Sequence, residues 1–171
     1  ADLNEDEQKL VRSMALMTMK PILYIANCSE EQLRGFDDDK FIPISAKIES
    51  ELNELDEAEK REYLDELGIA DTGINLLIKQ AYKALNLITY FTSGEPETRA
   101  WTVRNGAKAP EAAGVIHTDF EHGFIAAEVI SWQDLYAQGG WVNARAHGMV
   151  RTEGKNYIFK DGDVTLFRFN V

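Results

Sequence analysis

The feature that most constrains this chain is a pair of short apolar runs, each closed by a polar motif. "ILYIA", residues 22–26, ends in Asn27-Cys28-Ser29-Glu30, and "FIPIS", residues 41–45, continues into Ala46-Lys47. Apolar runs of this length with polar flanks predict strands buried on both faces, as in a helix-covered parallel sheet. In such a sheet the carboxyl ends of the strands face the ligand crevice. Asn27 and Ser45 both stand at such an end. The intervening "EEQLRGFDDDK" is short and polar for a crossover between parallel neighbours, which needs about a dozen residues or more and usually a helix. A gap in the chain near Gly35-Phe36 is therefore expected.

Helical patterns surround the pair. Asn4 with Glu7 three residues on reads as a helix start, and Leu10, Val11, Met14 and Met17 follow at helical spacing until Pro21 breaks the pattern. Residues 50–67 read as one helix closed by Gly68, and a second helix is expected over about 72–85. The character changes near Leu87. "LITYFT", "RAWTV", "FIAAEVIS", "NYIFK" and "VTLFRFNV" are β-branched and aromatic and predict five short strands. Asp161-Gly162-Asp163 reads as a hairpin turn between the last two. "APEAAGVIHTDF" supplies one helix, which suggests a small α+β domain of the β-grasp kind.

Charge narrows the partners. The 171 residues carry a net charge of −11. Residues 1–86 hold 10 Lys and Arg against 19 Asp and Glu, and residues 87–171 hold 8 against 10. An acidic first half is repelled by phosphate backbones. Arg145, Arg151, Lys155 and Lys160 are the candidates for a local basic patch in the second half, the bland alternative being a solvated surface. No window approaches a membrane span and no secretory leader is read, so a cytoplasmic protein with no membrane partner is expected. The single cysteine, Cys28, fits a reducing compartment.

Asn27-x-x-Glu30 followed by Ser45-Ala46-Lys47 resembles the base-reading pair of P-loop GTPases, whose usual form is N-K-x-D and then S-A-K. The Glu is the informative departure. Asp in that place accepts from guanine N1–H and the 2-amino group, whereas Glu is one methylene longer and adenine offers neither donor. An Asn amide can pair with adenine N6 and N7. The expected outcome is a relaxed or reversed preference, ATP over GTP. No G-x-x-x-x-G-K-[ST] occurs in the 171 residues, so the chain alone is expected not to hydrolyse a nucleotide by that route. Asp65-Glu66-Leu67-Gly68 matches D-x-x-G but reads as a helix end.

Further residues extend the resemblance. "PISAKIESELNELDEAEKREYLDELG", "AAGVIHTDFEHGF" and "DGDVTLFRFNV" closely resemble the YchF/Obg-like ATPase family from Leu10 onward. The resemblance implies an α/β part followed by an α+β part. Residues 1–20 would end a helical insertion, 21–86 would be the incomplete C-terminal part of an OBG-type, Ras-like G domain, and 87–171 would be a β-grasp TGS domain. It implies ATP (or GTP) as the nucleotide, with Asn27, Cys28 and Glu30 on one side of the base and Ser45, Ala46 and Lys47 on the other. Mg²⁺ would be held by residues absent from this chain, and no catalytic residue or metal ligand is assigned here. It further implies ribosome or RNA partners and no sequence-specific DNA binding. The alternative is a non-catalytic TGS module that binds RNA, ribosome or protein.

Other residues carry two readings. His117-Thr118-Asp119 has the ingredients of a proton relay, but a helix-ending turn in which Asp119 or Thr118 satisfies backbone groups is favoured. Phe167 and Phe169 share one face of their strand and read as core, while Trp132 or Trp141 is a candidate for exposure. Cys28 reads as a small packing residue or as a redox-sensitive thiol beside the base.

Overall fold

The computed structural model describes residues 4–94 and 97–170. Predicted features that fall on 1–3, 95–96 and 171 lie outside the described residues. The chain divides into two compact units, Ala1–Leu85 and Asn86–Val171.

Unit 1 opens with α1 (Glu5–Ser13), capped by Asn4: Asn4 Oδ1 accepts from Glu7 N, and Glu7 Oε2 accepts from Asn4 N. The helix ends before Met14, Ala15 turns to φ 52°, and Met17–Met19 form a 3-10 turn. β1 (Tyr24–Asn27) pairs in parallel with β2 (Phe41–Ile44), from Tyr24 opposite Phe41 to Asn27 opposite Ile44. The expectation of burial on both faces fails for β1, where Tyr24 is 44% and Ile25 50% exposed. This sheet has two strands, so β1 has no strand on its far side among the described residues. The connection 28–40 crosses over with one short helix, α2 (Glu30–Arg34), started by a capping box in which Ser29 and Gln32 exchange hydrogen bonds.

The predicted helix 50–67 is two helices, α3 (Ala46–Leu52) and α4 (Glu57–Leu67). The break comes from a second start signal: Asp56 Oδ1 accepts from Ala58 N and Glu59 N, and Glu59 accepts from Asp56 N. Gly68 closes α4 at φ 69°, so the D-x-x-G match is a helix end. α5 (Gly73–Ala84) follows, capped by Thr72. The core of unit 1 is small: Ile48, Leu52 and Leu67, with Leu33, Tyr63 and Ile69 against them.

Unit 2 is built on a five-stranded sheet of β3 (Leu87–Ser93), β4 (Thr98–Arg104), β5 (Phe124–Ser131), β6 (Arg151–Glu153) and β7 (Asp163–Phe169), in the order β4-β3-β7-β5-β6. β3 and β7 are parallel and the other pairs antiparallel. Four of the five predicted strands are present. "NYIFK" is not a strand: it makes one isolated bridge, Lys108 with Ile158, and buries Phe159. The fifth strand is the polar Arg-Thr-Glu of β6, which pairs through its backbone with β5. Asp161-Gly162 is a turn but closes no hairpin. It is pinned to β3, with Thr89 N donating to Asp161 Oδ1 and Gly162 N to Thr89 O, both at 2.8 Å.

One face of this sheet carries α6 (Ala109–Ile116) and α7 (Thr118–His122), where one helix was expected. Buried Ala109, Ala112 and Ala113 let α6 approach closely. Tyr90 is fully buried, and its hydroxyl donates to Ala112 O at 2.7 Å. Desolvation holds its phenol well above the ordinary range. Phe167 joins this core and Phe169 stacks on Phe120, so both phenylalanines pack as expected. The other face carries α8 (Trp132–Ala137) and α9 (Trp141–Ala146), which cover Ile130 and Val164. There Glu128 on β5 accepts from Arg145 of α9 and Arg168 of β7. Arg151 lies 3.4 Å from Glu153. Two of the four basic-patch candidates are therefore neutralised locally. No helix among the described residues is long and apolar enough to cross a membrane.

Candidate functional site

Two strand ends define the candidate site in unit 1. β1 delivers Asn27 and Cys28 to its carboxyl end, and β2 delivers Ser45. Each strand then turns directly into a helix, α2 after Ser29 and α3 after Ser45. Both serines are N-caps: Ser29 Oγ accepts from Gln32 N, and Ser45 Oγ from Ile48 N. The two polar motifs therefore sit at helix starts, beside backbone N–H groups without partners inside the helix.

An open cavity of about 620 Å³ lies between them. Asn27, Cys28, Glu30, Ser45, Ala46 and Lys47, the six residues named from the sequence, all line it, together with Ser29, Glu31 and Ile48. The motifs are tied to each other, since Ala46 N donates to Asn27 Oδ1 at 3.2 Å and Cys28 N to Ile44 O at 2.8 Å. Cys28 and Ser45 are buried. Glu30 is half-exposed and pairs with Arg34 at 3.0 Å, one helical turn on. Lys47 is 80% exposed at its side chain and reaches Glu51 at 3.6 Å. Glu51 also accepts from the Tyr63 hydroxyl at 2.6 Å, a bond that raises the phenol's pKa.

Ser29 and Glu31 were missed by the sequence reading. Their signal was present in Ser29-x-x-Gln32, a capping pair that marks the helix start. His117 is elsewhere, at the start of α7, where its Nδ1 accepts from Asp119 N at 3.2 Å. The expected turn is present between α6 and α7, but the capping side chain is that of His117, where Asp119 or Thr118 was expected. Trp132 is half-exposed, whereas Trp141 is partly buried and donates to Ser93 O. Among the described residues no cluster of three or more His, Cys, Asp and Glu is placed to hold a metal.

A crevice at the carboxyl ends of parallel strands, walled by two helix starts, is of the class in which open α/β sheets hold small ligands. Comparison with known proteins agrees over nearly the whole chain. The family model described as "YchF-GTPase_C: Protein of unknown function (DUF933)" matches residues 87–170. The "Ribosome-binding ATPase YchF" of Bacillus subtilis (strain 168) is 49% identical over 185 aligned positions, covering 99% of this chain and 50% of the relative. The protein of the same name from Escherichia coli O157:H7 is 44% identical with the same coverage. The solved structure of the Schizosaccharomyces pombe YchF GTPase superposes with a TM-score of 0.84 at 37% identity, over 98% of this chain and 48% of that one. The chain is similar to YchF proteins along nearly its whole length. It spans about half the length of the curated relatives it matches.

Proposed function

We propose that the cavity between Asn27 and Lys47 is the base-binding half of a nucleotide site. The parent protein is a ribosome-associated ATPase that prefers ATP to GTP. In this reading unit 1 is the C-terminal part of an OBG-type G domain with the end of its helical insertion, and unit 2 is a β-grasp TGS domain. The names of the relatives support ribosome binding and ATP hydrolysis in this family. The observation that carries the reading is the gathering of both motifs on one cavity, tied by the Asn27–Ala46 hydrogen bond.

We assign roles to these residues on the same reading. Asn27 Oδ1 is engaged by Ala46 N, which leaves the amide N–H₂ to face a base and donate to purine N7. Adenine and guanine both offer N7, so this contact positions the base without choosing it. Choice then falls to Glu30. Its carboxylate is paired with Arg34, and in this reading that pairing competes with acceptance from the two donors that identify guanine. Cys28, Ala46 and the stem of Lys47 supply the walls of the slot. Phosphate binding and Mg²⁺ are assigned to residues outside this chain, which by itself binds without hydrolysing. An aligned span of 185 positions against 171 residues supports a segment present in relatives and absent here, which we place at Gly35-Phe36. A cytoplasmic location follows from the ribosome as partner.

The test is competition between ATP and GTP on a protein of the relatives' full length. Replacing Glu30→Asp is expected to shift the ratio of affinities toward GTP by tenfold or more, and Asn27→Ala to weaken both nucleotides alike. Unchanged ratios and affinities in both variants would leave the alternative, a TGS module that docks on ribosome, RNA or protein without using this cavity.

A further inference from the structure

Two turns of unit 2 place a short amide or carboxyl side chain before a glycine: Asn105-Gly106 after β4 and Asp161-Gly162 before β7. They are the one Asn-Gly and the one Asp-Gly pair in the 171 residues. In such a pair the side-chain carbonyl carbon is within reach of the glycine's main-chain nitrogen. Glycine has no Cβ to obstruct closure of a five-membered ring. By sequence, the same chemistry is open to both pairs, but their surroundings differ.

Asp161-Gly162 is closed to it. Thr89 N donates to Asp161 Oδ1 and Gly162 N donates to Thr89 O, both at 2.8 Å, so β3 holds the electrophile and the nucleophile alike. The Trp132 ring also covers Gly162, where an added Cβ would stand 2.7 Å from Cδ1. Ring closure there breaks two hydrogen bonds and shifts a packed aromatic.

Asn105-Gly106 is open. Both residues are exposed. Gly106 turns at φ 91°, and a Cβ built there would meet nothing within 4 Å. Gly106 N donates no hydrogen bond among the described residues. The main chain on either side is anchored, Asn105 N donating to Asn86 O at 2.8 Å and Ala107 N to Arg104 O at 3.0 Å. The Asn105 side chain is held more loosely. Its Nδ2 donates to Asn86 Oδ1 at 3.3 Å, longer than an ordinary hydrogen bond and exposed to water.

We propose that Asn105 is a site of spontaneous deamidation, with the Asn86 amide as its brake. Hydroxide takes the Gly106 N–H proton, and the nitrogen attacks Asn105 Cγ. The new N–Cγ bond closes a succinimide. The Cγ–Nδ2 bond breaks, and the amide takes a proton from water and leaves as ammonia. Water then opens the ring. Cleavage of the N–Cγ bond leaves an aspartate at position 105. Cleavage of the other imide bond leaves isoaspartate, with the main chain routed through the former side chain. The sum is loss of NH₃ and gain of H₂O, with no oxidant or cofactor required. Isoaspartate there is a substrate for carboxyl methylation by an isoaspartyl methyltransferase. The site lies in unit 2 and uses none of the nucleotide chemistry.

The test incubates the full chain in mildly alkaline buffer, maps its peptides by mass spectrometry, and reads isoaspartate by enzymatic methylation. The Asn105 peptide is expected to exchange NH₂ for OH ahead of every other asparagine and to become a methyl acceptor. The Asp161 peptide is expected to accept no methyl group in the folded chain and to become an acceptor in urea. Asn86→Gly keeps a residue suited to the φ of 54° and removes the Oδ1 acceptor. It is expected to speed conversion about twofold to tenfold, the factor by which losing one hydrogen bond raises the population of the released amide. Asn105→Gln is expected to abolish methyl acceptance at that position. An Asn105 that persists while other asparagines convert would overturn the proposal. So would isoaspartate forming at 161 as fast as at 105 in the folded chain, or a rate unmoved by Asn86→Gly. None of these outcomes bears on the nucleotide reading.

Discussion

The two units bury their apolar residues very differently. In unit 2, Tyr90, Ala127, Val129 and Phe159 are essentially inaccessible, sealed between a five-stranded sheet and α6. In unit 1, Leu10, Met17, Ile22, Ile25 and Ile78 are half-exposed or more, around a sheet of two strands. Two strands are marginal as an independent sheet. The comparison teaches that the segment with the more recognisable ligand motifs is the one with the less complete core. Its polar motifs are set by two strand ends and two helix caps, which need little of the surrounding domain.

The sharpest way to break this contrast is to separate the units. Residues 86–171 made alone are expected to unfold cooperatively and give a dispersed amide NMR spectrum. Residues 1–85 alone are expected to melt gradually, without a cooperative transition. Two cooperative melts would erase the distinction. Next in size is Phe159→Ala, expected to cost unit 2 about 3–5 kcal/mol in urea unfolding. Ile25→Ala, on the exposed face of β1, is expected to change stability by no more than about 0.5 kcal/mol. Gly162→Ala falls between them at about 2 kcal/mol, because φ is 82° there and the new methyl meets Trp132.

A smaller effect depends on pH. The hydrogen bond from Arg145, aided by Arg168 and opposed by burial, holds the Glu128 carboxyl below its ordinary 4.5. A depressed carboxylate stabilises fully above its unfolded value and loses that contribution as pH falls through its folded value. Unit 2 is therefore expected to weaken on acidification below about pH 4.5, the ordinary carboxylate range. Glu128→Gln should cost about 1–2 kcal/mol at neutral pH and flatten that decline, as read from urea midpoints at neutral and acid pH. An unchanged decline in the variant would assign the acid sensitivity to other carboxylates.

How much was legible in the sequence follows the range of the signals. That six residues would gather at one cavity could be read because a polar motif at the end of an apolar run is a local pattern. The bond from Ala46 N to Asn27 Oδ1 could not, since it depends on the parallel register that sets Asn27 opposite Ile44. β6 was missed because Arg-Thr-Glu has no apolar residue, and its pairing is entirely main-chain. "NYIFK" misled in the opposite sense: its aromatics serve the core from a loop, Phe159 packing beside Tyr90 at 5.0 Å between ring centres. α8 and α9 were hidden by Trp and Val, although Ser131-x-x-Asp134 marks the start of α8, where Ser131 Oγ accepts from Asp134 N. The exposed face of β1 was misread because an apolar strand announces its need for cover but not whether the cover is within reach.

The position of β7 has a consequence for the order of events during synthesis. It comes last in sequence among the strands of the described residues, yet it lies between β3 and β5, and Phe91 must wait for Val164 before the parallel pair can close. A nascent chain halted before Asp163 holds two separate antiparallel pairs, β3–β4 and β5–β6, and no continuous sheet. Closure is thus a late, long-range step, of the kind that slows folding. Unit 2 passes from two fragments to one sheet only when its final strand has left the ribosome's exit tunnel.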